Sequence, residues 1–123
     1  MERIVLRSRY QRWEVELNEA QAAWELYKSL PLEREINVWG GEFYFPVPVE
    51  CGLENGRKVM EVGEVAYWPD GSALCFFFGP TPVSSTGRPE AYSPVTPVGR
   101  VLGNVSALAE LADRTAVTLE RAD

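Results

Sequence analysis

The sequence of 123 residues contains no histidine, only two cysteines and only two lysines. Without histidine the chain has no Ser-His-Asp or Cys-His catalytic set, no histidine-ligated metal and no imidazole that titrates near neutral pH. Two cysteines alone do not make a zinc site, and the three aspartates, Asp70, Asp113 and Asp123, do not suggest a carboxylate cage for a metal. We therefore expect neither a metal nor another cofactor.

Long apolar runs are also missing. The longest, residues 73–78, has the length of a strand, far short of the ~18–20 apolar residues that span a membrane, and the charged N-terminus has no signal-peptide core. These features predict a soluble, cytoplasmic protein in which Cys51 and Cys75 stay reduced and Cys75 is a buried thiol within the apolar run.

Positive charge is scarce as well. The chain has 12 Lys and Arg residues against 18 Asp and Glu residues, which gives a net charge of −6. An acidic protein of this kind is not expected to bind nucleic acid or an anionic membrane surface. The length and the 46% hydrophobic content fit one globular domain over residues 1–123.

Short apolar segments separated by turn residues predict a mainly β protein. We expect strands at residues 3–7, 12–17, 33–39, 42–45, 65–68, 73–78, 98–102 and 115–119, with a short extended piece at residues 59–62. About eight such strands at this spacing are typical of a closed β-barrel. Residues 73–78 should be the most buried strand, because they are apolar on both faces.

Two helices are predicted to cap the barrel. The first begins at Asn18, with Gln21 in a capping-box position, and ends before Pro31. Its apolar stripe comprises Ala20, Ala23, Trp24, Tyr27 and Leu30. The second helix covers residues 105–112 with Asn104 as its cap. Residues 79–97, which contain five prolines, are expected to form a long, mobile loop.

Three segments resemble the small prokaryotic cyclophilin-like domain family. They are INVWGGEFYF at residues 36–45, GEVAYWPDG leading into ALCFFFGPTP at residues 63–82, and PVGRVLG at residues 97–103. The match covers nearly the whole chain in one order. The resemblance implies a reduced cyclophilin, an eight-stranded barrel with a helix at each end, and a family without a firmly assigned activity.

The resemblance also directs attention to the catalytic signature of cyclophilins, which are peptidyl-prolyl isomerases. Their arginine lies in a Phe-His-Arg segment, and this sequence contains no such segment. The corresponding strands carry Asn37, Val38 and Trp39, followed by the acidic Glu42 and by aromatic residues. No residue of this chain matches the family's catalytic arginine.

We expect a ligand-binding cleft at the open face of the barrel, because aromatic walls with a few polar groups are the usual form of such pockets. The predicted lining residues are Asn37, Trp39, Glu42, Tyr44, Tyr67, Phe78, Thr81 and Pro82. The alternative is that these aromatic residues only pack across strands, and that Glu42 is a solvated hairpin residue.

Three hypotheses for function follow. The first is a module that binds a small molecule or a peptide, with residues 79–97 as a lid. The second is a divergent prolyl isomerase that uses Arg100, or else Arg34 or Arg88, as a relocated guanidinium. The third is an interaction protein that forms a homodimer through Trp13 or Trp24.

Overall fold

The computed structural model describes residues 1–122, and ten β-strands are the main secondary structure of this part of the chain. The strands are β1 (Arg3–Arg7), β2 (Arg12–Leu17), β3 (Leu32–Glu35), β4 (Asn37–Trp39), β5 (Glu42–Pro46), β6 (Arg57–Val59), β7 (Glu64–Trp68), β8 (Ala73–Phe77), β9 (Glu90–Leu102) and β10 (Ala116–Arg121). The α-helix α1 (Gln21–Ser29) follows β2, and 3-10 helices cover Pro69–Gly71 and Val105–Glu110. The prediction of a mainly β protein is thus confirmed.

The strands form one antiparallel path in the order β3-β10-β1-β2-β9-β7-β8-β5-β4, with β6 paired to β9 beside it. The path has two ends, so the expected closed eight-stranded barrel is not confirmed. Residues 33–39 were predicted as one strand, but they form two strands separated by the fully buried Ile36. The first, β3, pairs with β10, and the second, β4, pairs with β5. Among the described residues, the single side-chain hydrogen bond between β3 and β5 runs from Arg34 Nε to the Pro46 carbonyl, at 2.9 Å.

Both helix predictions need correction. Helix α1 begins at Gln21, and the Asn18 side chain accepts a hydrogen bond from the Ala20 amide at 2.9 Å. The buried face of α1 contains Ala22, Ala23 and Leu26, whereas Trp24 is half exposed. The predicted second helix is a 3-10 helix of six residues whose Asn104 makes no side-chain cap.

The predicted loop at residues 79–97 is shorter than expected, because β9 already begins at Glu90 and continues to Leu102. Two prolines, Pro94 and Pro97, fall within this strand, and Pro89 lies just before it. The first half of β9 pairs with the short β6, and the second half joins the main sheet beside β7 and β2. A lid over residues 79–97 is therefore wrong, since residues 90–97 of that range belong to β9.

Successive side chains along the strands point to opposite faces of the sheet and so contribute to two apolar clusters. Phe43 and Phe45 of β5 and Phe76 of β8 point into the main core, and their rings lie 5.0–6.0 Å apart. The opposite face of β8 carries Cys75 and Phe77, which belong to a smaller cluster covered by β9. This double coverage explains why every residue of β8 is buried, as the sequence predicted.

Among the described residues no helix is long and apolar enough to cross a membrane. Trp13, one of the two residues considered for a dimer contact, is buried, and its indole N–H donates to the Asn104 carbonyl at 3.0 Å. Trp24 lies on the surface and stacks on Tyr27. Of the two tryptophans, only Trp24 is therefore available to a partner.

Candidate functional site

A cavity of about 200 Å³ lies on the outer face of the sheet, where the first half of β9 passes over β5 and β8. Glu42 and Tyr44 of β5 lie two positions apart and therefore share the face of the sheet that lines the cavity. The lining residues are Trp39, Glu42, Tyr44, Trp68, Cys75, Tyr92 and Val95.

Glu42 is the acidic residue of this cavity, and only 5% of its surface is exposed. It lies at the first position of β5, paired with Trp39 on one side and Phe77 on the other. Its Oε1 atom has no hydrogen-bond partner, and it is the one buried side-chain oxygen or nitrogen in this condition among residues 1–122. Buried polar atoms in folded proteins almost always have a partner, so this oxygen calls for an explanation.

Burial raises the pKa of the Glu42 carboxyl from 4.5 to about 7, and the neighbouring Cys75 thiol acts in the opposite direction. The pKa of Cys75 is in turn raised well above its ordinary value, by burial first and by the Glu42 charge second. Glu42 therefore exchanges protons near neutral pH, while Cys75 remains a neutral thiol.

Aromatic side chains form the walls of the cavity. The rings of Trp39 and Tyr92 lie 6.3 Å apart at 73°, those of Trp68 and Tyr92 lie 6.3 Å apart at 79°, and those of Tyr44 and Trp68 lie 6.2 Å apart at 74°. All three pairs meet edge to face, which is a favoured arrangement for aromatic rings. Because neighbouring rings are nearly perpendicular, they enclose a space instead of filling it by stacking on one another.

The Trp68 ring is held from two directions. Its indole N–H donates to the Ser93 hydroxyl at 2.6 Å, and that hydroxyl donates to Asp70 at 2.9 Å. On its other side the ring lies against Gly71, where an added Cβ would come within 2.4 Å of it. The 3-10 turn after β7 and the strand β9 thus fix this wall in place.

Three of the eight predicted site residues, Trp39, Glu42 and Tyr44, line the cavity. The expectation that Glu42 is solvated as a hairpin residue is wrong, because the strand buries it. Asn37 lies at the edge of the sheet and donates to the Tyr44 carbonyl at 3.3 Å. Tyr67 points into the main core, where its hydroxyl donates to the Val49 carbonyl at 2.6 Å.

The other three predicted residues support neighbouring structure. Phe78 packs on the main core, 5.9 Å from the Phe43 ring. The Thr81 hydroxyl donates to the Glu90 carbonyl at 2.5 Å and so joins the preceding loop to the start of β9. Pro82 lies beside Gly40, where an added Cβ would meet its ring at 2.7 Å.

Sequence reasoning missed Trp68, Cys75, Tyr92 and Val95. The alternation of β7 offered a choice between Tyr67 and Trp68, and only the sheet decides which of the two faces the cavity. Cys75 was correctly expected to be buried, but its apolar neighbours gave no sign of a cavity. Tyr92 and Val95 fell within the predicted loop, so their strand and its alternation went unrecognised.

The arginines considered for isomerisation lie elsewhere. Arg100 is an exposed residue of β9, paired in register with Glu16 and Glu64. Arg88 forms an exposed ion pair with Glu61. Arg34 lines a separate, open groove of about 800 Å³ at the gap between β3 and β5.

Several arginines line that larger groove, but two of them already have hydrogen-bond or ion-pair partners within the protein. Arg34 donates to the backbone carbonyls of Glu33 and Pro46, and Arg7 forms an ion pair with Glu120 at 2.8 Å. No buried polar atom without a partner was found there among the described residues. No group of three metal-ligating side chains occurs within residues 1–122 either. The aromatic cavity is therefore the candidate site.

Comparison with known proteins agrees with this architecture. The family model described as Cyclophilin-like matches residues 2–120. The solution structure of a hypothetical protein from Archaeoglobus fulgidus is similar, with a TM-score of 0.84 and 36% sequence identity over 98% of this chain and 95% of that chain. Among curated proteins no sequence matches this chain. With a family match over almost its entire length and a structural relative of the same size, the chain belongs to the cyclophilin-like family.

Proposed function

We propose that this protein is a binding module that takes a small molecule, or one side chain of a peptide, into the cavity above Glu42. The observation that carries the proposal is the unpartnered, buried Glu42 oxygen beside aromatic walls. An unpaired buried polar atom costs about 1–3 kcal/mol. A ligand that supplies the missing partner recovers this free energy, which gives the site both affinity and selectivity.

The size of the cavity limits what can enter. Pockets for drug-sized ligands usually measure about 300–1,000 Å³, whereas this one measures about 200 Å³. It therefore accommodates a compact group and not a large cofactor. Tyr92, which is 69% exposed, stands at the solvent side, so the rest of a longer ligand would extend past it.

The four tryptophans provide the test, since each indole N–H gives its own NMR signal. Trp39 and Trp68 line the cavity, while Trp13 is buried in the main core and Trp24 lies on the surface. The labelled protein is titrated with the peptide Ala-Pro-Phe and with a panel of small water-soluble amines, alcohols, amides and phenols. Saturable shifts of Trp39 and Trp68, with Trp13 and Trp24 unchanged, support the proposal.

Absence of a saturable shift for every probe up to millimolar concentration contradicts it, as does a response confined to Trp24. The exposed aromatic residues offer a matched pair of variants. Tyr92→Ala should weaken the binding of any active probe, whereas Tyr10→Ala, which removes a ring that is 85% exposed and outside the cavity, should leave it unchanged.

The same peptide tests the alternative of a divergent prolyl isomerase. A guanidinium is expected at the prolyl bond in that mechanism, but the residues that line the cavity include no arginine. We expect the cis/trans exchange of Ala-Pro-Phe to proceed at its uncatalysed rate. Accelerated exchange that is lost in Arg100→Ala would favour the isomerase instead.

A further inference from the structure

We propose that the group bound above Glu42 is an alkylammonium cation, with an N–H directed at Glu42 Oε1 and its carbon substituents held against the aromatic walls. This inference rests on the proposed binding function and names the chemical class of the ligand. It draws on three independent features of the cavity: the arrangement of the rings, the unpartnered carboxylate oxygen and the absence of a positive side chain.

The rings offer their faces and edges around one small space. Trp39, Tyr92, Trp68 and Tyr44 follow one another as edge-to-face neighbours with centroids 6.2–6.3 Å apart. A cation within about 6 Å of such a ring centroid is attracted by the negative charge of the ring face, most strongly by tryptophan. Two of the four rings are tryptophans. Aromatic boxes of this kind bind methylated ammonium groups in other proteins.

The carboxylate gives the cation a specific contact. Glu42 is 95% buried, and its Oε1 lacks a donor. A bound N–H group satisfies this oxygen and neutralises its charge, and hydrogen bonds between charged groups are about twice as strong as neutral ones. A proline ring, the group that the classical cyclophilin pocket holds, has no N–H and would leave Oε1 unpaired.

No cation of the protein occupies this place. The lining residues include neither lysine nor arginine, and the causes of the raised Glu42 pKa include no charged neighbour. Glu64, the other buried carboxylate among the described residues, has the Arg57 guanidinium at 2.6 Å. Glu42 is equally buried but forms no ion pair within residues 1–122, so its cavity leaves a place for a cation from outside the protein.

Titration of Glu42 makes the affinity for an alkylammonium ion depend on pH. The titratable groups that share the cavity are the Cys75 thiol on β8 and the phenols of Tyr44 on β5 and Tyr92 on β9. Burial raises the pKa of the Cys75 thiol well above its ordinary value, so the carboxyl of Glu42, with a pKa of about 7, is the group that changes charge near neutral pH. An alkylammonium ion binds the ionised carboxylate, so affinity should rise from pH 6 to pH 8.

The test compares two ligands of nearly identical shape. N,N-dimethylethanolamine is protonated at neutral pH and carries one N–H, and 3-methylbutan-1-ol replaces that N–H⁺ with C–H. Their affinities are measured at pH 8 from the Trp39 and Trp68 signals. Because the cation gains both the aromatic and the carboxylate contacts, we expect it to bind at least about tenfold more tightly than the alcohol.

Glu42→Gln keeps the shape of the side chain and removes its charge. In this variant the preference for the amine over the alcohol should fall by about tenfold, and the rise in amine affinity with pH should disappear. Tyr92→Ala is a second variant, at a position that is 69% exposed, and should weaken the amine more than the alcohol. Tyr10→Ala serves as the unaffected control.

The possible results separate the two proposals. Equal binding of the amine and the alcohol overturns the cation inference and leaves the binding module intact. Binding of the amine that is unchanged in Glu42→Gln also overturns it, because the carboxylate is then not the partner. If neither compound binds but another probe shifts Trp39 and Trp68, the cation inference fails alone. If no probe at all shifts these signals, both proposals fail.

Discussion

The backbones of Gly41 and Gly79 are in direct contact, so that a Cβ atom on Gly41 would lie 2.1 Å from the Gly79 carbonyl group. The amides of Phe78 and Gly79 both donate to the Gly41 carbonyl, at 2.8 and 3.0 Å, and the Gly41 amide donates to Pro80 at 2.8 Å. The turn between β4 and β5 is thus bound to the segment after β8. Because Glu42 follows this turn directly, the contact also fixes the start of the candidate site.

Gly41→Ala should therefore destabilise the protein by about 1–3 kcal/mol or more, since the backbone has to move to admit the methyl group. Gly52→Ala is the matched control: an added Cβ there meets nothing within 4 Å, and its φ is not in the left-handed region. Urea denaturation followed by tryptophan fluorescence measures both. Equal midpoints for the two variants would contradict the proposed role of the close contact.

The pKa of Glu42 predicts a pH dependence of stability. The folded protein holds the proton up to about pH 7 and the unfolded chain only to about 4.5. The stabilisation is therefore present below pH 4.5 and is lost as the pH rises through 7, by up to about 3 kcal/mol. Chemical denaturation at pH 5, 6, 7 and 8 checks it, with Glu42→Gln as the reference that removes the contribution of other groups.

In that comparison, the difference in unfolding free energy between the original protein and Glu42→Gln should fall from pH 5 to about pH 7 and level off above it. A difference that stays constant from pH 5 to 8 would show that Glu42 titrates in the ordinary acidic range.

Arg57 and Glu64 form the contact that ties β6 to β7. The guanidinium donates to both carboxylate oxygens, at 3.1 and 2.6 Å, and the Glu61 amide donates to the same carboxylate at 2.8 Å. Burial raises the pKa of Glu64, but these hydrogen bonds and the Arg57 charge outweigh it, so the net shift is downward. The pair is buried on the glutamate side and partly exposed on the arginine side.

Arg57→Ala should cost about 1–2 kcal/mol, below the value for a fully buried pair because Arg57 is half exposed. The control is Arg88→Ala, which removes the pair with Glu61. Both partners of that pair are at least half exposed, and its loss should cost less than about 1 kcal/mol. Thermal and urea denaturation measure the stability of both variants. A larger loss in Arg57→Ala than in Arg88→Ala supports the prediction, and an equal or smaller loss contradicts it.

The two thiols should react at different rates. Cys51 is half buried and Cys75 is fully buried next to Glu42. The pKa of each is raised, that of Cys75 by far the more. With a chromogenic disulfide reagent at pH 8, one thiol should react within minutes and the second only on unfolding. Cys51→Ala should remove the fast phase, and a fast phase that remains would show that the cavity admits the reagent.

Most strands could be predicted from the sequence because their signals are local. Alternation in residues 12–17 and the Gly40-Gly41 turn depend only on neighbouring side chains and on backbone geometry, and both predictions are confirmed. The first half of β9 could not be recognised in this way. Prolines and polar residues hide its pattern, and its pairing with β6 joins segments that lie more than thirty residues apart.

The residues of the candidate site likewise form two groups, those that the sequence could predict and those that it could not. Trp39, Glu42 and Tyr44 lie on the two arms of one hairpin, so their proximity follows from the sequence. Trp68 and Tyr92 reach the cavity through β7 and β9, and no local pattern shows which face of each strand turns toward Glu42.

The sequence by itself determined the mainly β architecture, the family and the hairpin that supplies three of the seven residues of the site. It did so because strand periodicity, turn residues and family motifs are properties of short segments. Tertiary structure alone decided that β3 and β4 separate at Ile36, that β9 covers the outer face, and that Glu42 is buried without a partner for one oxygen. Burial and desolvation are set by what packs over a residue, and here the covering strand comes from a distant part of the chain.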